Sequence, residues 1–312
     1  MNLALFAVTV FVWGTTWLAI AMQLGPVPVL TSIFYRFALA SVLLLPGLVL
    51  TGRLGPTRPR DHLFIAAQGL CLFSLNFVCF YNATRFVPSG LVSVVFSLAT
   101  LLNAVNARIF FREPISGRMV VAAAFGVGGL AVLFLPSIRG ASVGGDTLLG
   151  LGLAALGTLF FSLGNMVSRR NSAAGVSPLT ANAYGMTYAS LLLAAVLAAT
   201  GTPIVAPPDG RYLLALGWLS IFGSIVGFTT YLMLVARLGS GRAAYATVMF
   251  PVVALLLSAI WEGYAWTSAT AVGLMLTVVG NLVAFGALRA PTRWAFGRGG
   301  RALSRRDPAA SP

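Results

Sequence analysis

Ten apolar runs of membrane-spanning length constrain this chain more than any other feature of its sequence. A bilayer core about 30 Å thick is crossed by roughly 20 apolar residues in a helix. Runs of this kind, punctuated by arginine, proline and glycine, lie near residues 3–22, 29–50, 63–83, 88–109, 117–136, 147–168, 178–199, 212–235, 241–261 and 267–288. Because a helix satisfies its own backbone hydrogen bonds in lipid, they predict an all-α polytopic membrane protein with ten transmembrane helices.

Composition supports the same class. Of the 312 residues, 58% are hydrophobic and 8% are charged, whereas soluble domains carry about 25% charged residues. The first apolar run is expected to be a retained helix rather than a cleaved signal peptide, because no basic residue precedes it and its apolar stretch is long. The connections are short, so no soluble domain is expected between the spans.

The distribution of arginine predicts the orientation in the membrane. All 20 basic residues are arginines, and sixteen of them fall on cytoplasmic segments if the N-terminus is cytoplasmic. The outer loops then carry only Arg85, Arg139 and Arg211. The positive-inside rule therefore predicts a multi-pass protein of the cell membrane with both termini in the cytoplasm. The net charge of +14 does not indicate a protein that binds nucleic acid. We expect residues 290–312 to form a basic, disordered tail that is attracted to anionic membrane lipid.

The two halves of the chain align at a displacement of about 149 residues. The aligned pairs are Phe11 with Phe160, Tyr35 with Tyr184, Ser41 with Ser190, and Glu113 with Glu262. Each half contains five spans, and because five is odd the second half enters the membrane from the opposite side. We therefore expect an inverted-topology repeat, with five helices in residues 1–140 and five in 141–289.

Small and polar residues share one helical face on the fourth span and one on the ninth. The two faces consist of Ser89, Ser93, Phe96, Thr100, Asn103 and Ala107, and of Ser240, Ala244, Thr247, Pro251, Ala254 and Ser258. Such a face either packs closely against another helix or lines a cavity. Both interpretations remain open, and Asn103 is the residue we most expect to meet solvent or substrate.

Arg36 lies about a third of the way into the second span. A charge at the bilayer centre costs about 2.5–3.5 kcal/mol on insertion scales, and less near an interface. The guanidinium either snorkels outward or bonds to carbonyls, or it lies in a cavity and pairs with a carboxylate or phosphate of a substrate. No acidic residue lies deep within any span, which favours the second interpretation.

Trp13 lies near the middle of the first span, in the stretch FVWGTTWLAI. Tryptophan prefers the membrane interface, where we expect Trp17 to act as an anchor. Trp13 either lines a wet cavity, with the Thr16 hydroxyl beside it, or is buried with its N–H on a carbonyl. The candidate substrate-binding residues are Trp13, Thr16, Arg36, Asn76, Ser93, Asn103 and Tyr184.

Several short motifs resemble the EamA-type family of the drug/metabolite transporter superfamily. They are the WG-T-W segment at 13–17, Pro28 with Arg36 and Phe37, Glu113 at the end of the fourth span, and FPVVALLLSAIWEGY at 250–264. The resemblance covers residues 3–288. It implies ten helices around a central cavity and the export of small metabolites such as amino acids or related compounds. Gly185 stands where the second repeat would match Arg36.

We therefore expect a secondary transporter that exports a small-molecule substrate by alternating access, as a monomer or homodimer and without a cofactor. A lipid-translocating or passive permeation protein remains the alternative. An embedded enzyme would need paired carboxylates, a metal cluster or an activated nucleophile, and His62 beside Asp61 does not make a metal site. Glu113 and Glu262 either cap helix ends or couple transport to protons, and uniport is our hypothesis.

Overall fold

A computed structural model describes residues 2–139, 145–238 and 245–285, and these residues form ten helices. They are α1 (Asn2–Met22), α2 (Val29–Leu50), α3 (Pro59–Ala83), α4 (Ser89–Phe111), α5 (Gly117–Arg139), α6 (Gly145–Ala173), α7 (Pro178–Thr200), α8 (Gly210–Leu238), α9 (Tyr245–Trp261) and α10 (Ser268–Phe285). No strand forms within these described ranges. The predicted all-α class is confirmed, and the predicted basic tail lies outside the described residues.

The helices have the lengths and surfaces of membrane spans. Within the described ranges, α1 to α8 each contain a stretch long and apolar enough to cross a membrane, and α9 and α10 contain the shorter apolar stretches Met249–Trp261 and Ser268–Val283. Large apolar side chains such as Leu50 and Leu214 are 87% and 75% exposed. An outer surface of this kind suits contact with lipid. The protein is a polytopic membrane protein.

Local sequence sets where several helices begin and end. Pro28 and Pro88 directly precede α2 and α4, and proline without an N–H is tolerated at a helix start. Ser177 and Asp209 cap α7 and α8 by accepting hydrogen bonds from the backbone N–H groups of Thr180 and Tyr212. Gly201 ends α7 in the left-handed conformation, with φ of 63°.

The two halves are interlocked rather than set side by side. The most extensive helix contacts, α5 with α10, α3 with α6, α1 with α8 and α2 with α7, all join one half to the other. The pairing is also symmetric: α1 packs against α8 and α9, as α6 packs against α3 and α4. The pairs α2–α7, α4–α9 and α5–α10 each join a helix to its own counterpart. This is the pattern of an inverted repeat related by a pseudo-two-fold axis.

Glycine permits close approach at two of these symmetric crossings. A Cβ atom on Gly129 of α5 would lie 2.7 Å from the Gly273 carbonyl oxygen of α10, and one on Gly90 of α4 would lie 2.9 Å from the Leu255 Cα of α9. Membrane helices use small residues in this way because van der Waals contact replaces the hydrophobic driving force. The α4–α9 contact supports packing for the N-terminal end of the small-residue face of α4.

Three helices depart from regular α geometry. π-helical turns occupy Leu70–Leu75 in α3 and Trp218–Val226 in α8, at corresponding places in the two repeats. Helix α4 is interrupted between Ser89–Phe96 and Ala99–Phe111. At the interruption the Ser97 hydroxyl donates to the Val94 carbonyl at 2.6 Å, a local bond that competes with the helix ladder. The residues of the α4 face have different partners on the two sides of the interruption: Ser89 bonds Glu262 at the end of α9, whereas Asn103 meets α6.

Candidate functional site: a cavity between the two repeats

A cavity lies where the central helices of both halves meet. Most of its walls are aromatic. Its lining consists of Trp13, Thr16, Trp17 and Ile20 from α1, Arg36 from α2, Asn76, Phe77 and Phe80 from α3, Phe96 from α4, Phe161 from α6, Gly223 and Phe228 from α8, and Phe250 from α9. Pockets lined by apolar and aromatic side chains with few polar groups are typical of small-molecule sites.

Arg36 supplies the charge of this cavity. Its side chain is 2% exposed, and its guanidinium carbon lies 4.2 Å from the centre of the Phe77 ring, a cation–π contact. The Nε–H donates to the Ser224 hydroxyl at 3.1 Å. Nη1 is buried and has no hydrogen-bond partner among the described residues. Arg36 therefore does not snorkel: it is held inside the molecule with one donor free.

The π-helical turn of α8 explains how Ser224 reaches Arg36. The Ser224 hydroxyl donates to the Leu219 carbonyl at 2.9 Å, five residues earlier, which is the spacing of a π-helix. With its proton used in this way, the oxygen accepts from Arg36. Gly223, beside it, exposes backbone to the cavity. Wide turns of this kind often mark functional sites in helices.

Trp13 lines the cavity and also has its N–H on a carbonyl, so both interpretations of its position in the sequence apply. Its indole lines the cavity, and its Nε1–H donates to the Gly223 carbonyl at 3.4 Å. The ring packs edge-on against Phe228 at 5.3 Å and tilted against Tyr231 at 5.0 Å. Gly227 makes room for it, since a Cβ there would lie 2.9 Å from the indole Cδ1. Trp13 is therefore a fixed wall of the cavity.

The structure brings together four of the seven candidate residues: Trp13, Thr16, Arg36 and Asn76 all line the cavity. The Thr16 hydroxyl donates to the Trp13 carbonyl at 2.8 Å, and the Asn76 side-chain oxygen accepts from the Phe77 backbone N–H at 2.8 Å. These bonds fix both polar side chains within the wall.

The other three candidates lie elsewhere. Ser93 is fully buried, and its hydroxyl donates to the Gly90 carbonyl at 2.5 Å. Asn103 accepts from the side chain of Asn165 on α6 at 3.3 Å. Tyr184 is tilted edge-on against His62 and lies among side chains near the starts of α3 and α7. None of the three lines the cavity, because each faces another helix.

Trp17 is a correction. The sequence led us to expect an interfacial anchor, but its side chain is 6% exposed and lines the cavity. Its ring packs edge-on against Phe80 at 5.3 Å. The signal was available, because Trp17 is four residues after Trp13 and therefore shares its helical face. Phe96, Phe161 and Phe250 gave no such signal, since phenylalanine is ordinary in any membrane span.

Polar contacts join the helices beyond both ends of the cavity. On the side of the membrane where α1 begins, the N-terminal side, the buried carboxylate of Asp61 accepts from Arg170 at 3.2 Å. Gln68 bonds both Asn171 and Asn182 there, which links α3, α6 and α7. The contacts on the opposite side include Tyr212 to Ser32 at 2.7 Å and Tyr35 to the Val205 carbonyl at 3.0 Å.

Glu113 and Glu262 both have structural partners. Glu113 pairs with Arg169 at 2.6 Å, and this guanidinium holds the pKa of the Glu113 carboxyl below its usual range. Glu262 accepts from the backbone N–H and the hydroxyl of Ser89 and from the Ser258 hydroxyl. It therefore caps the start of α4, where a carboxylate also complements the helix dipole.

Comparison with known families agrees with this two-repeat architecture. The model of the EamA-like transporter family matches residues 1–135 and 148–286, once in each half. This chain belongs to the EamA-like transporter family. It is accordingly a membrane transporter of the drug/metabolite type, with a small-molecule substrate. The finer repeat boundaries at 140 and 289 stay a prediction.

Similar proteins carry transporter names. The chain is 30% identical over 257 residues to an uncharacterized inner membrane transporter, YedA, of Escherichia coli strain K12, covering 81% of this chain and 80% of the relative. It is 24% identical to a probable amino-acid metabolite efflux pump of the same strain, covering 87% and 90%. It is 25% identical to a probable terminal-alkyne amino-acid exporter of Streptantibioticus cattleyicolor, covering 88% and 90%.

A solved crystal structure shares the fold of this EamA-like transporter. The superposition has a TM-score of 0.66 at 21% sequence identity and covers 91% of this chain and 96% of the other. At this identity the likeness concerns the fold alone. It shows that the arrangement of the helices recurs in a protein of very different sequence.

Proposed function

We propose that this EamA-like transporter exports a small metabolite, an amino acid or a related compound, across the cytoplasmic membrane. The observation that carries the proposal is the cavity between the two repeats, with the buried guanidinium of Arg36 in its wall and Nη1 free to bind. Relatives named as an amino-acid efflux pump and an amino-acid exporter support the direction and the substrate class.

The mechanism we infer is alternating access, in which the interlocked halves rock about the cavity. The polar contacts at the two ends support it, because each set can break while the other holds. Opening on the N-terminal side would separate Asp61 from Arg170 and Gln68 from its two asparagine partners. Opening on the opposite side would separate Tyr212 from Ser32.

The orientation belongs to the proposal, with both termini in the cytoplasm as the arginine distribution predicts. The test replaces Cys71 and Cys79 with alanine and introduces one cysteine, by Arg53→Cys or Arg85→Cys. A membrane-impermeant maleimide should label intact cells only at position 85, which follows α3. Labelling at position 53 alone would contradict the proposed orientation.

Uniport is the energy source we propose. The structural partners of Glu113 and Glu262 support it, since carboxylates that hold helix ends together are poorly placed to exchange protons during a cycle. Flux into proteoliposomes should therefore follow the substrate gradient and ignore an imposed pH gradient. A pH-driven flux that disappears in Glu262→Gln would contradict this.

The decisive experiment compares metabolites in culture supernatants. Cells overproducing the transporter should accumulate a compound outside that is missing with Arg36→Ala or Trp13→Ala, although both variants reach the membrane in normal amounts. Arg85→Ala is the matched control, because Arg85 is exposed in the loop after α3. Accumulation with all variants would support export and would contradict the assignment of Arg36 and Trp13 to the substrate site. No accumulation with the intact protein would contradict export.

A further inference from the structure

The positive charge of Arg36 has no counterpart within the described part of the chain. The ion pairs found there are Arg169 with Glu113 and Arg170 with Asp61. Both lie near helix ends, and no carboxylate lines the cavity. A guanidinium keeps its proton in proteins, and an unpaired charge in a low-dielectric environment is strongly unfavourable. The charge therefore calls for an anion that comes from outside the chain.

A second unfilled donor lies close to the first. Gln23 is 1% exposed, and its side-chain nitrogen Nε2 has no hydrogen-bond partner among the described residues. The buried hydroxyl of Tyr81 donates to the oxygen of the same amide at 2.7 Å, and this hydroxyl also lies beside the guanidinium of Arg36. Of these two residues with an unpartnered donor, Arg36 lines the cavity and Gln23 lies behind its wall. A carboxylate in the cavity is a strong acceptor for the Arg36 guanidinium.

The rest of the cavity suits an apolar body and disfavours an ammonium group. The aromatic rings of Trp13, Trp17, Phe80 and Phe96 present apolar surface, and no carboxylate lies among them to balance an ammonium group. The Asn76 side-chain oxygen is already bonded to a backbone N–H. The α-ammonium of an amino acid stays within a few ångströms of its own carboxylate, so it would be held beside the Arg36 guanidinium, which repels it.

We propose that the substrate of this transporter is an amphipathic monocarboxylate without an α-ammonium group. Its carboxylate binds the free donors of Arg36, and its apolar body lies among the aromatic rings. The inference rests on the proposed function, because it treats the cavity as the transport site. It narrows the substrate class from amino acids and related compounds to related organic acids that lack an α-ammonium group.

The test is direct binding to the purified transporter by titration calorimetry in nanodiscs. The probes are 3-phenylpropanoate, phenylalanine and 3-phenylpropanamide, which share a phenyl ring and chain and differ in charge. The anion should bind at least ten times more tightly than the zwitterion or the neutral amide. Equal or tighter binding of phenylalanine overturns the proposal, and so does the absence of binding by the anion at millimolar concentration.

Variants assign the preference to its donors. Arg36→Gln should abolish the preference for the anion over the amide, and Arg85→Gln should leave it unchanged. A preference that survives in correctly assembled Arg36→Gln protein overturns the assignment. The comparison of the three probes on the unaltered protein stands even if a variant fails to assemble.

Flux separates this inference from the proposed function. Counterflow of labelled 3-phenylpropanoate in proteoliposomes, absent with Arg36→Gln, supports both. Selective binding of the anion without flux, in proteoliposomes or in culture, overturns the proposed export and keeps the anion site. Flux of phenylalanine that exceeds flux of the anion keeps the exporter and overturns the anion site.

Discussion

At the scale of single residues, Gly223 brings the backbone of α8 into contact with two candidate binding residues. A Cβ atom there would lie 2.8 Å from Thr16 Cγ2 and 3.3 Å from Arg36 Nη2. The carbonyl of the same residue accepts from Trp13. Glycine at this position therefore lets helices α1, α2 and α8 meet in the cavity wall.

Gly223→Ala should lower export more than it lowers stability. The added methyl group displaces Thr16 or the Arg36 guanidinium, and overpacking of this kind costs about 1–3 kcal/mol. We expect flux to fall at least several-fold, measured in proteoliposomes. The matched control is Gly217→Ala in the same helix, where a Cβ would meet no atom within 4 Å. Equal flux in the two variants would contradict the close contact.

Sequence reasoning reached some of these residues and missed others for physical reasons. Arg36 was predictable because a charge in an apolar run without an acid is costly and therefore conspicuous. Trp13 was predictable from its depth. Trp17 was mistaken for an anchor because depth alone does not give the direction in which a side chain faces. Ser224 was missed because its position depends on a π-helical turn, which the apolar run does not encode.

At the scale of elements, the ion pair of Glu113 and Arg169 joins the end of α4 to the end of α6. Both side chains are about half exposed, at 51% and 46%, so the pair is screened by solvent. The Arg169 guanidinium lowers the pKa of Glu113 in the folded protein. Its stabilisation is therefore present above the unfolded pKa and is lost as the pH falls through the folded pKa.

Glu113→Gln should thus destabilise the transporter slightly at neutral pH and not in acid. An exposed pair contributes about 0.2–1 kcal/mol, which thermal unfolding in detergent can resolve as a small decrease in Tm. The difference from the unaltered protein should shrink as the pH falls below the ordinary glutamate value of 4.5. Arg169→Gln should behave in the same way, and the double variant should cost no more than either alone. If the difference in Tm persists or grows in acid, the ion pair is not the cause of the destabilisation.

The sequence predicted that the helices exist, but it did not predict where regular α geometry is interrupted within them. All ten spans appear as helices, because hydropathy over about 20 residues decides membrane insertion locally. The interruption of α4 at Ser97 and Leu98 was not predicted, although it decides that Asn103 meets α6 instead of the cavity. A continuous face on α4 was the expectation, and the helix is interrupted at the two residues between Phe96 and Ala99.

At the scale of the whole molecule, the contacts between the repeats exceed those within them. In the first half, α1 packs chiefly on α8 and α9 of the second half, α2 on α7, and α5 on α10. Neither half buries its own polar and aromatic faces, so each half depends on the other for its fold. The cavity itself exists only where the two halves meet.

Residues 1–140 and 141–312, expressed separately, should each fail to accumulate as folded protein. Expressed together, they should associate and restore export, because the contacts between them are the extensive ones. Co-purification through a tag on one half measures the association, and the supernatant assay measures the function. As a control, the second half should not associate with a first half that carries Gly90→Trp, since that side chain blocks the α4–α9 crossing. A first half that folds and stays monodisperse alone would contradict the interlocked architecture.

The sequence by itself determined the membrane, the ten spans and the repeat, because hydropathy and displacement matches are properties of short stretches read one at a time. It also marked Arg36 and Trp13 as residues that need an explanation. Only the tertiary structure decided that Gly223, Ser224 and Trp17 share one cavity with them and that Ser93, Asn103 and Tyr184 do not. That decision depends on how each helix is rotated about its axis, and rotation is set by packing between the two halves, which no single stretch contains.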